Sequence, residues 1–323
     1  MKLEREFLKC GIHDIKIAVI GDVMLDRYLH GTVSRISPEA PVPIVNIKKT
    51  REVLGGAANV AANLAGLGCQ VFMGGVIGND SNKVLLEKLM EQQNIDYSGL
   101  VASLDRSTIT KVRVLGGQQQ MLRMDFEEVG DLTSDETDKL KEWLKTLLDN
   151  GINGISISDY AKGVCSSEFC QWVIKKAHEY GIPVLVDPKG KNWNKYQGAS
   201  FITPNIKELS EIVGYSCPNE NDAVVDAAIS IKRKYNIENV VATRSEQGIT
   251  VVSSQKVYHD PAAEKEVFDV SGAGDTVAAT LLAMIAGGIE LEKAIKLANK
   301  AAGIVVNKVG TYPVKNSELM MEI

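Results

Sequence analysis

Short apolar runs that stop at a polar residue recur along the chain, and each predicts a buried β-strand. The runs cover residues 15–20, 154–157, 183–186, 199–202 and 239–242. Amphipathic stretches with helical spacing lie between or after them, at 167–180, 222–235, 275–286 and 291–308. Strands that alternate with helices predict an α/β fold, in which a mostly parallel central sheet lies between helices on both faces.

Polar residues follow the ends of these predicted strands. They are Asp22, Asp159, Asp187, Asn205 and Thr243. Ligands of parallel sheets bind beyond the carboxyl ends of the strands. We therefore expect these side chains to cluster around a binding site.

Two segments interrupt the alternation and predict a second, smaller sheet. The proline-rich stretch 37–43 precedes the apolar run 44–47, which fits an edge strand because proline is tolerated there. Residues 107–115 and 118–126 flank Gly116-Gly117, a two-residue hairpin signal. In a single domain over 1–323, segments of about 27–50 and 105–127 would then form a lid or a dimer surface. An extension of the main sheet is the alternative.

Composition narrows the class of partner. The 323 residues carry a formal net charge of −5 and a pI near 5.6, which argues against nucleic acid or an anionic membrane as a partner. No apolar run is long enough for a membrane span and no signal peptide is evident at the start, so we expect a cytoplasmic protein. The five cysteines are scattered without a CxxC pair, which fits reduced thiols.

The sharpest chemical motif is 269–275, Asp-Val-Ser-Gly-Ala-Gly-Asp, which opens the predicted helix 275–286. Glycines allow a tight turn, and the free N–H groups of a helix start attract anions. Backbone N–H groups of Gly272, Ala273 and Gly274 would therefore bind a transferring phosphate, with Asp275 as the catalytic base. The helix start should lower the pKa of Asp275. The alternative is that Asp275 only caps the helix.

A second glycine motif lies early in the chain, where Gly55-Gly56 opens an alanine-rich helix. The two glycines permit close approach of a sugar, and Asn59 offers both a donor and an acceptor to its hydroxyls. Asp22 and Asp26 are further candidates to accept hydrogen bonds from the sugar. Tight helix packing is the other reading of this motif. Two common nucleotide motifs, GxxxxGK[ST] and an early GxGxxG, do not occur in the sequence.

Residues 55–59 and 269–275, in this order, resemble the two signatures of the ribokinase-like (PfkB-type) carbohydrate kinases. The resemblance implies a three-layer sandwich, ATP and Mg²⁺, with K⁺ as a candidate monovalent cation. Residues 203–208 are similar to the family's Asn-x-x-Glu element, and 243–248 to its Thr-x-Gly-x-x-Gly loop, with Ser245 in place of the middle glycine. The implied nucleotide contacts are Asn205, Ile206, Lys207, Glu208, Thr243, Ser245, Gly248 and Asp269. Glu208 and Asn205 would organise Mg²⁺ indirectly, through Mg-ATP.

Further motifs resemble a narrower family, the heptose 7-phosphate kinases. They span 21–28, 34–43, 123–127, 159–163 and 187–190. The resemblance implies transfer to the C1 hydroxyl of D-glycero-β-D-manno-heptose 7-phosphate, giving the 1,7-bisphosphate in ADP-heptose and lipopolysaccharide precursor synthesis. A sugar phosphate needs cations, and the matched motifs supply Arg27, Arg35, Arg123, Lys162 and Lys189.

The same resemblance implies a homodimer joined through the lid. Since no HxGH nucleotidyltransferase motif occurs in the sequence, we expect the adenylyl transfer to belong to a separate protein. Three alternatives remain open at this point. They are a kinase of the same fold for fructose, fructose phosphate, ribose or adenosine, a non-catalytic nucleotide-binding regulator, and a dinucleotide-binding oxidoreductase.

Overall fold

The computed structural model describes residues 2–117, 119–262 and 268–323. Within these ranges the strands are β1 Lys16–Gly21, β2 Val23–Ile36, β3 Pro43–Gly56, β4 Gln70–Gly78, β5 Ile95–Ser103, β6 Thr110–Gly116, β7 Gln119–Phe126, β8 Gly154–Ser158, β9 Val184–Asp187, β10 Phe201–Ile202, β11 Asn239–Thr243, β12 Ile249–Val252 and β13 Val257–Asp260. The helices are α1 Lys2–Glu6, α2 Ala57–Leu67, α3 Ser81–Glu91, α4 Ser134–Asp149, α5 Ser167–Tyr180, α6 Ile206–Val213, α7 Asn221–Lys234, α8 Ala273–Ala286, α9 Leu291–Val305 and α10 Asn316–Met321.

Nine of these strands form the main sheet, in the order β13-β12-β11-β10-β9-β8-β1-β4-β5. The pairs from β5 to β11 are parallel, and β12 and β13 add to one edge in antiparallel orientation. The predicted mostly parallel sheet is therefore confirmed. The parallel order also brings the polar residues after β1, β8, β9, β10 and β11 to one edge of the sheet.

Two hydrophobic cores lie on opposite faces of this sheet. Along β1, Ile17 and Val19 belong to one core while Ala18 and Ile20 belong to the other, as the two-residue period of a strand requires. Helices α2, α8 and α9 contribute to the first core, and α4, α5 and α7 to the second. The result is the expected three-layer sandwich. Among the described residues, no helix has the length and apolar character needed to cross a membrane.

The smaller sheet is separate from the main one, so the alternative of an edge extension is wrong. Its order is β3-β2-β6-β7, which places the proline-flanked β3 at an edge, as expected. The sheet is larger than the sequence indicated, because β2 already begins at Val23, immediately after β1 and Asp22. The hairpin at Gly116-Gly117 joins β6 to β7, while Gln118, part of the predicted strand 118–126, lies outside the described residues.

Candidate active site

Helix α8 begins after a glycine-containing turn, which the side-chain carboxylate of Asp269 stabilises. Gly272 adopts a φ of 79°, and a Cβ there would lie 2.8 Å from Asn59 Nδ2, so a larger residue would not fit. The Asp269 carboxylate accepts hydrogen bonds from the N–H groups of Ser271 and Gly310, each at 2.9 Å. The turn that presents the helix start is therefore fixed from two sides.

Several backbone N–H groups of this turn are free to bind an anion. Within the described part of the chain, those of Gly272, Gly274 and Asp275 have no acceptor. The Ala273 N–H already donates to the carbonyl of Val270 at 3.2 Å. A Cβ on Gly274 would meet no atom within 4 Å, so the turn is open beside it. Free N–H groups at the positive end of a helix suit a phosphate.

The Asp275 carboxylate is buried and held by two donors. Asn59 Nδ2 donates to Oδ2 at 2.7 Å, and the Tyr160 hydroxyl donates to Oδ1 at 2.7 Å. Asn59 belongs to α2, and Tyr160 lies in the loop after β8. The two glycine motifs, 216 positions apart at this contact, thus meet at one carboxylate.

Burial raises the pKa of Asp275 to about 6, although the hydrogen bonds from Tyr160 and Asn59 act in the opposite direction. The expectation that the helix start would lower this pKa is wrong. Loss of water around the carboxylate outweighs these hydrogen bonds, because it disfavours the charged form at a site that solvent hardly reaches. A carboxylate with a pKa near neutrality is a better proton acceptor than an ordinary aspartate.

Asp22 bonds to the protein's own backbone, and its predicted contact with the sugar stays a prediction. Its carboxylate accepts three backbone N–H groups, from Tyr160 at 2.8 Å, Lys162 at 3.0 Å and Val164 at 3.2 Å. The side chain is buried, so both oxygens serve the loop after β8. Asp22 directly follows β1, and its three hydrogen bonds fix the shape of that loop.

Gly55 and Gly56 have no side chain, which leaves space for Asp26 and for the backbone of Asp22. A Cβ on Gly55 would lie 2.6 Å from Asp26 Oδ2, and one on Gly56, where φ is 56°, would lie 2.4 Å from the carbonyl of Asp22. Asp26 itself forms an ion pair with Arg113 at 2.7 Å. Both glycines are thus required by packing around the two aspartates, and their predicted contact with a sugar stays a prediction.

The predicted phosphosugar cations Arg27, Arg123, Lys162 and Lys189 each form an ion pair with a carboxylate. Arg27 pairs with Glu52 at 2.7 Å. Lys189 contacts Glu208 at 2.8 Å, which places it on the side of the predicted nucleotide site instead. Arg123 pairs with Asp125, and Lys162 with Glu127. Arg123 thus lies on β7 of the small sheet, and Lys162 contacts the residue that follows this strand.

Sequence reasoning missed two cations on the polar face of the small sheet, Lys111 and Arg113. Asp26, Lys111 and Asp125 are aligned across β2, β6 and β7, and the next row on the same face contains Arg113 and Arg123. Lys111 Nζ lies 5.5 Å from the centre of the Tyr160 ring, and burial lowers the pKa of this lysine. Within the described residues Lys111 forms no ion pair. The alternation of Lys111 and Arg113 along β6 was the signal that could have identified them.

The predicted nucleotide contacts lie at the start of α6 and after β11. Asn205 Oδ1 accepts the N–H of Glu208 at 3.0 Å, and Glu208 Oε2 accepts the N–H of Asn205 at 3.1 Å. This capping box starts α6 and fixes the Glu208 carboxylate. Ile206 packs against a core, whereas Lys207 is exposed. Thr243 pairs with Asn205 in an isolated parallel bridge, so the two motifs lie side by side.

Ser245 keeps the backbone conformation that suits a glycine. Its φ is 51°, a region in which a residue with a Cβ is strained. Gly248 closes the loop with a φ of 79°, and a Cβ there would lie 2.1 Å from the Asp260 carbonyl. The substitution of serine for the family's middle glycine therefore preserves the turn between β11 and β12.

The residues present fit a magnesium ion that the nucleotide brings with it. In the described ranges, no group of three or more His, Cys, Asp and Glu side chains is placed to hold a metal ion directly. Glu208 supplies a fixed and nearly buried carboxylate beside Asn205. One carboxylate and an amide suit Mg²⁺, which keeps several waters and binds substrate phosphates.

Comparisons with known proteins identify the family of the chain. The model of the family described as "pfkB family carbohydrate kinase" matches residues 14–318. The chain is 48% identical over 312 residues to the bifunctional protein HldE of Methylobacillus flagellatus, covering 96% of this chain and 64% of that protein. The HldE of Haemophilus influenzae is 43% identical over 305 residues, with 94% and 62% covered. The chain thus spans less than two thirds of these relatives.

Solved structures share the fold at low sequence identity. Phosphofructokinase-2 from Escherichia coli in complex with potassium has a TM-score of 0.78 and 21% identity, with 95% of this chain and 97% of that chain covered. Arabidopsis thaliana ribokinase complexed with ribose and ATP has a TM-score of 0.74 and 18% identity, with 95% and 98% covered. Because the family model matches residues 14–318 of this chain, the chain belongs to the pfkB family of carbohydrate kinases, phosphotransferases that act on a sugar hydroxyl.

Proposed function

We propose that this chain uses Mg-ATP to phosphorylate the C1 hydroxyl of D-glycero-β-D-manno-heptose 7-phosphate, giving the 1,7-bisphosphate. The observation that carries the proposal is the position of Asp275. Its carboxylate lies at a helix start with free N–H groups, and Lys111 on the cation-rich face of the small sheet lies close enough to act on its charge. The similarity to two HldE proteins and the narrower sequence motifs support heptose 7-phosphate as the acceptor.

In the proposed reaction, Asp275 accepts the proton of the C1 hydroxyl as that oxygen attacks the terminal phosphorus of ATP. The bond from this phosphorus to the bridging oxygen breaks, and ADP leaves. The N–H groups of Gly272 and Gly274 hydrogen-bond the transferring phosphoryl group, and Ala273 completes the turn. Mg²⁺, when bound with the nucleotide, neutralises charge on the phosphates. Closure of the small sheet as a lid would exclude water and suppress ATP hydrolysis.

The nucleotide is expected along the edge formed by the starts of α6 and α8 and the loop after β11. The proposed contacts are Asn205, Ile206, Lys207, Glu208, Thr243, Ser245, Gly248 and Asp269. Lys207 is exposed and contributes charge, whereas Asp269 acts by bracing the turn. K⁺ remains a candidate monovalent cation, and its effect on turnover is measured by exchanging it for Na⁺.

The 7-phosphate carries about two negative charges near neutral pH. Lys111, Arg113, Arg123 and Lys162 are the cations of the polar face, and Lys111 has no ion-pair partner in the described part of the chain. The sugar phosphate could therefore bind Lys111 directly. The other three cations could leave their present carboxylates and bind the phosphate as well. Asn59, Asp26 and the backbone of Gly55 and Gly56 remain candidates for the sugar hydroxyls.

We expect at least a hundredfold higher kcat/KM for the heptose 7-phosphate than for the same heptose without phosphate, because each charge-assisted hydrogen bond contributes roughly 1.5–3 kcal/mol. The acceptor panel adds fructose 6-phosphate, fructose, ribose and adenosine. Lys111→Met should reduce the preference, while Lys139→Met, at an exposed ion pair on α4, should not. A preference for another acceptor would refute the heptose assignment. ATP binding without turnover on any acceptor would favour the alternative function, a non-catalytic nucleotide-binding regulator.

A homodimer through the small sheet is part of the proposal. Leu122, Met124 and Phe126 occupy alternate positions of β7, and they are 53%, 36% and 55% exposed. Such a row of apolar side chains on one face fits a surface covered by a second copy. Light scattering should give about twice the 35.1 kDa of the chain, and Phe126→Asp should give a monomer. A monomeric wild-type chain would refute this arrangement.

The place of the reaction follows from its product. We expect the 1,7-bisphosphate to feed nucleotide-sugar synthesis, in which an adenylyltransferase activity acts downstream. The name "bifunctional" of the HldE relatives, which extend beyond the length matched here, supports a second activity in that pathway. Addition of such an enzyme to the kinase reaction, after removal of the 7-phosphate, should yield ADP-heptose.

A further inference from the structure

The Tyr160 hydroxyl occupies one oxygen of the proposed catalytic base. It donates to Asp275 Oδ1 at 2.7 Å, while Asn59 donates to the other oxygen. Burial and the neighbouring Asp275 raise the pKa of Tyr160 well above its ordinary value. The phenol therefore stays protonated across the physiological range and acts only as a donor toward the carboxylate.

The loop that carries Tyr160 is fixed by two buried carboxylates. Asp22 accepts the N–H of Tyr160 and two further N–H groups of the loop. Asp159 Oδ1 accepts the N–H of Ala161 at 2.6 Å, and its other oxygen accepts the Tyr196 hydroxyl at 2.6 Å. Ala161 adopts a φ of 57°, a conformation that is strained for alanine. Strain of this kind persists where the surroundings over-determine the backbone, which is common at functional sites.

The charges that act on Asp275 come from several elements. Asp26 on β2 opposes its ionisation, whereas Lys111 on β6 favours it. Burial and the charge of Asp275 raise the pKa of Asp187, at the end of β9, well above its usual range. Tyr160 and Asn59 add one hydrogen bond each to the ionised form. Lys111 also lies over the Tyr160 ring, so the tyrosine connects the small sheet to the base. Loss of the hydroxyl would leave a buried carboxylate with a single donor.

We propose that Tyr160 is a positioning residue, whose hydroxyl keeps Asp275 ionised and in the orientation that accepts the sugar proton. Asp22 acts one step further out, by holding Tyr160 in place through the loop. The inference rests on the proposed role of Asp275 as base. It is tested with Tyr160→Phe, which removes one oxygen and keeps the ring on Lys111. Tyr180→Phe is the matched control, because the Tyr180 phenol also donates to an aspartate, Asp149, at an exposed site.

The first measurement needs no substrate. Carbon-13 NMR of chains labelled at the aspartate carboxyl follows the titration of Asp275, with Asp275→Asn to assign its signal. We expect the midpoint to rise by about one to two pH units in Tyr160→Phe. A hydrogen bond to a charged group contributes roughly 1.5–3 kcal/mol, which corresponds to a pKa change of that size. Tyr180→Phe should leave it unchanged. An equal midpoint in Tyr160→Phe and wild type would overturn the inference.

The second measurement is the pH profile of kcat. Since the ionised carboxylate is the active form and its pKa lies near 6, wild-type turnover should fall as the pH drops through that value. In Tyr160→Phe this acid limb should move upward with the NMR midpoint, so that the loss is greatest at acid pH and shrinks at alkaline pH. An unmoved limb would contradict the role. A wild-type chain without kinase activity would instead refute Asp275 as base, and the NMR midpoint would still decide whether Tyr160 controls its ionisation.

Discussion

Asp275→Asn is expected to lower kcat by about a thousandfold, within the range ascribed to general bases. Asparagine retains the shape: its oxygen can accept from Asn59, and its NH2 group can donate to the oxygen of the Tyr160 hydroxyl, so the fold and the helix start should persist. Only the capacity to take up the sugar proton is lost. Steady-state ADP release at saturating substrates measures the effect, and calorimetry should show ATP binding unchanged.

Asp149→Asn provides the comparison, because Asp149 also accepts a tyrosine hydroxyl but lies on the surface. It should leave kcat within twofold of wild type, as surface substitutions usually do. If Asp275→Asn kept more than about a tenth of the wild-type kcat, the loss would be smaller than general-base catalysis supplies. The carboxylate would then serve only as a helix cap, the alternative that the sequence left open.

Asp22→Ala is expected to lower the free energy of unfolding by about 3 kcal/mol or more. The substitution leaves the buried N–H groups of Tyr160, Lys162 and Val164 without their acceptor, and each such loss costs about 1–3 kcal/mol. Urea denaturation at neutral pH measures the change. Activity should fall as well, because the same loop carries the donor to Asp275.

Asp96→Ala is the matched control for this loss of stability. Asp96 accepts a single backbone N–H, from Ser98, at an exposed position of β5, so its removal should cost less than about 1 kcal/mol. A contrary pattern, in which Asp22→Ala unfolds like wild type but has a raised KM for the sugar, would support the predicted sugar contact of Asp22.

The secondary structure could be predicted where local signals agree. The helix expected at 167–180 is α5 itself, because Ser166 caps its start and Gly181, with a φ of 67°, ends it. At 199–202 the apolar run predicted a strand that is longer than the one observed. Ala199 bonds back to Tyr196 in a turn, which leaves only Phe201 and Ile202 in β10.

The site could be predicted only in part, because its decisive contacts join distant segments. The glycine motifs led to Asp275 and Asn59, because the composition and spacing of a motif can be read from the local sequence. The roles of Asp22 and Tyr160 depend on a contact across 138 positions, and no local pattern encodes it. The pKa of Asp275 was likewise misjudged, since burial is a property of the folded chain whereas the helix start is visible in the sequence.

The product of the reaction tests the central claim most directly. Phosphorus-31 NMR of a mixture of this chain, Mg-ATP and D-glycero-β-D-manno-heptose 7-phosphate reports which hydroxyl receives the phosphoryl group. We predict a second sugar phosphate signal, coupled to the anomeric proton, that appears at the rate of ADP formation. A new phosphate on another hydroxyl, or ADP formed without any new sugar phosphate, would contradict the assignment of this site as a heptose 7-phosphate C1 kinase.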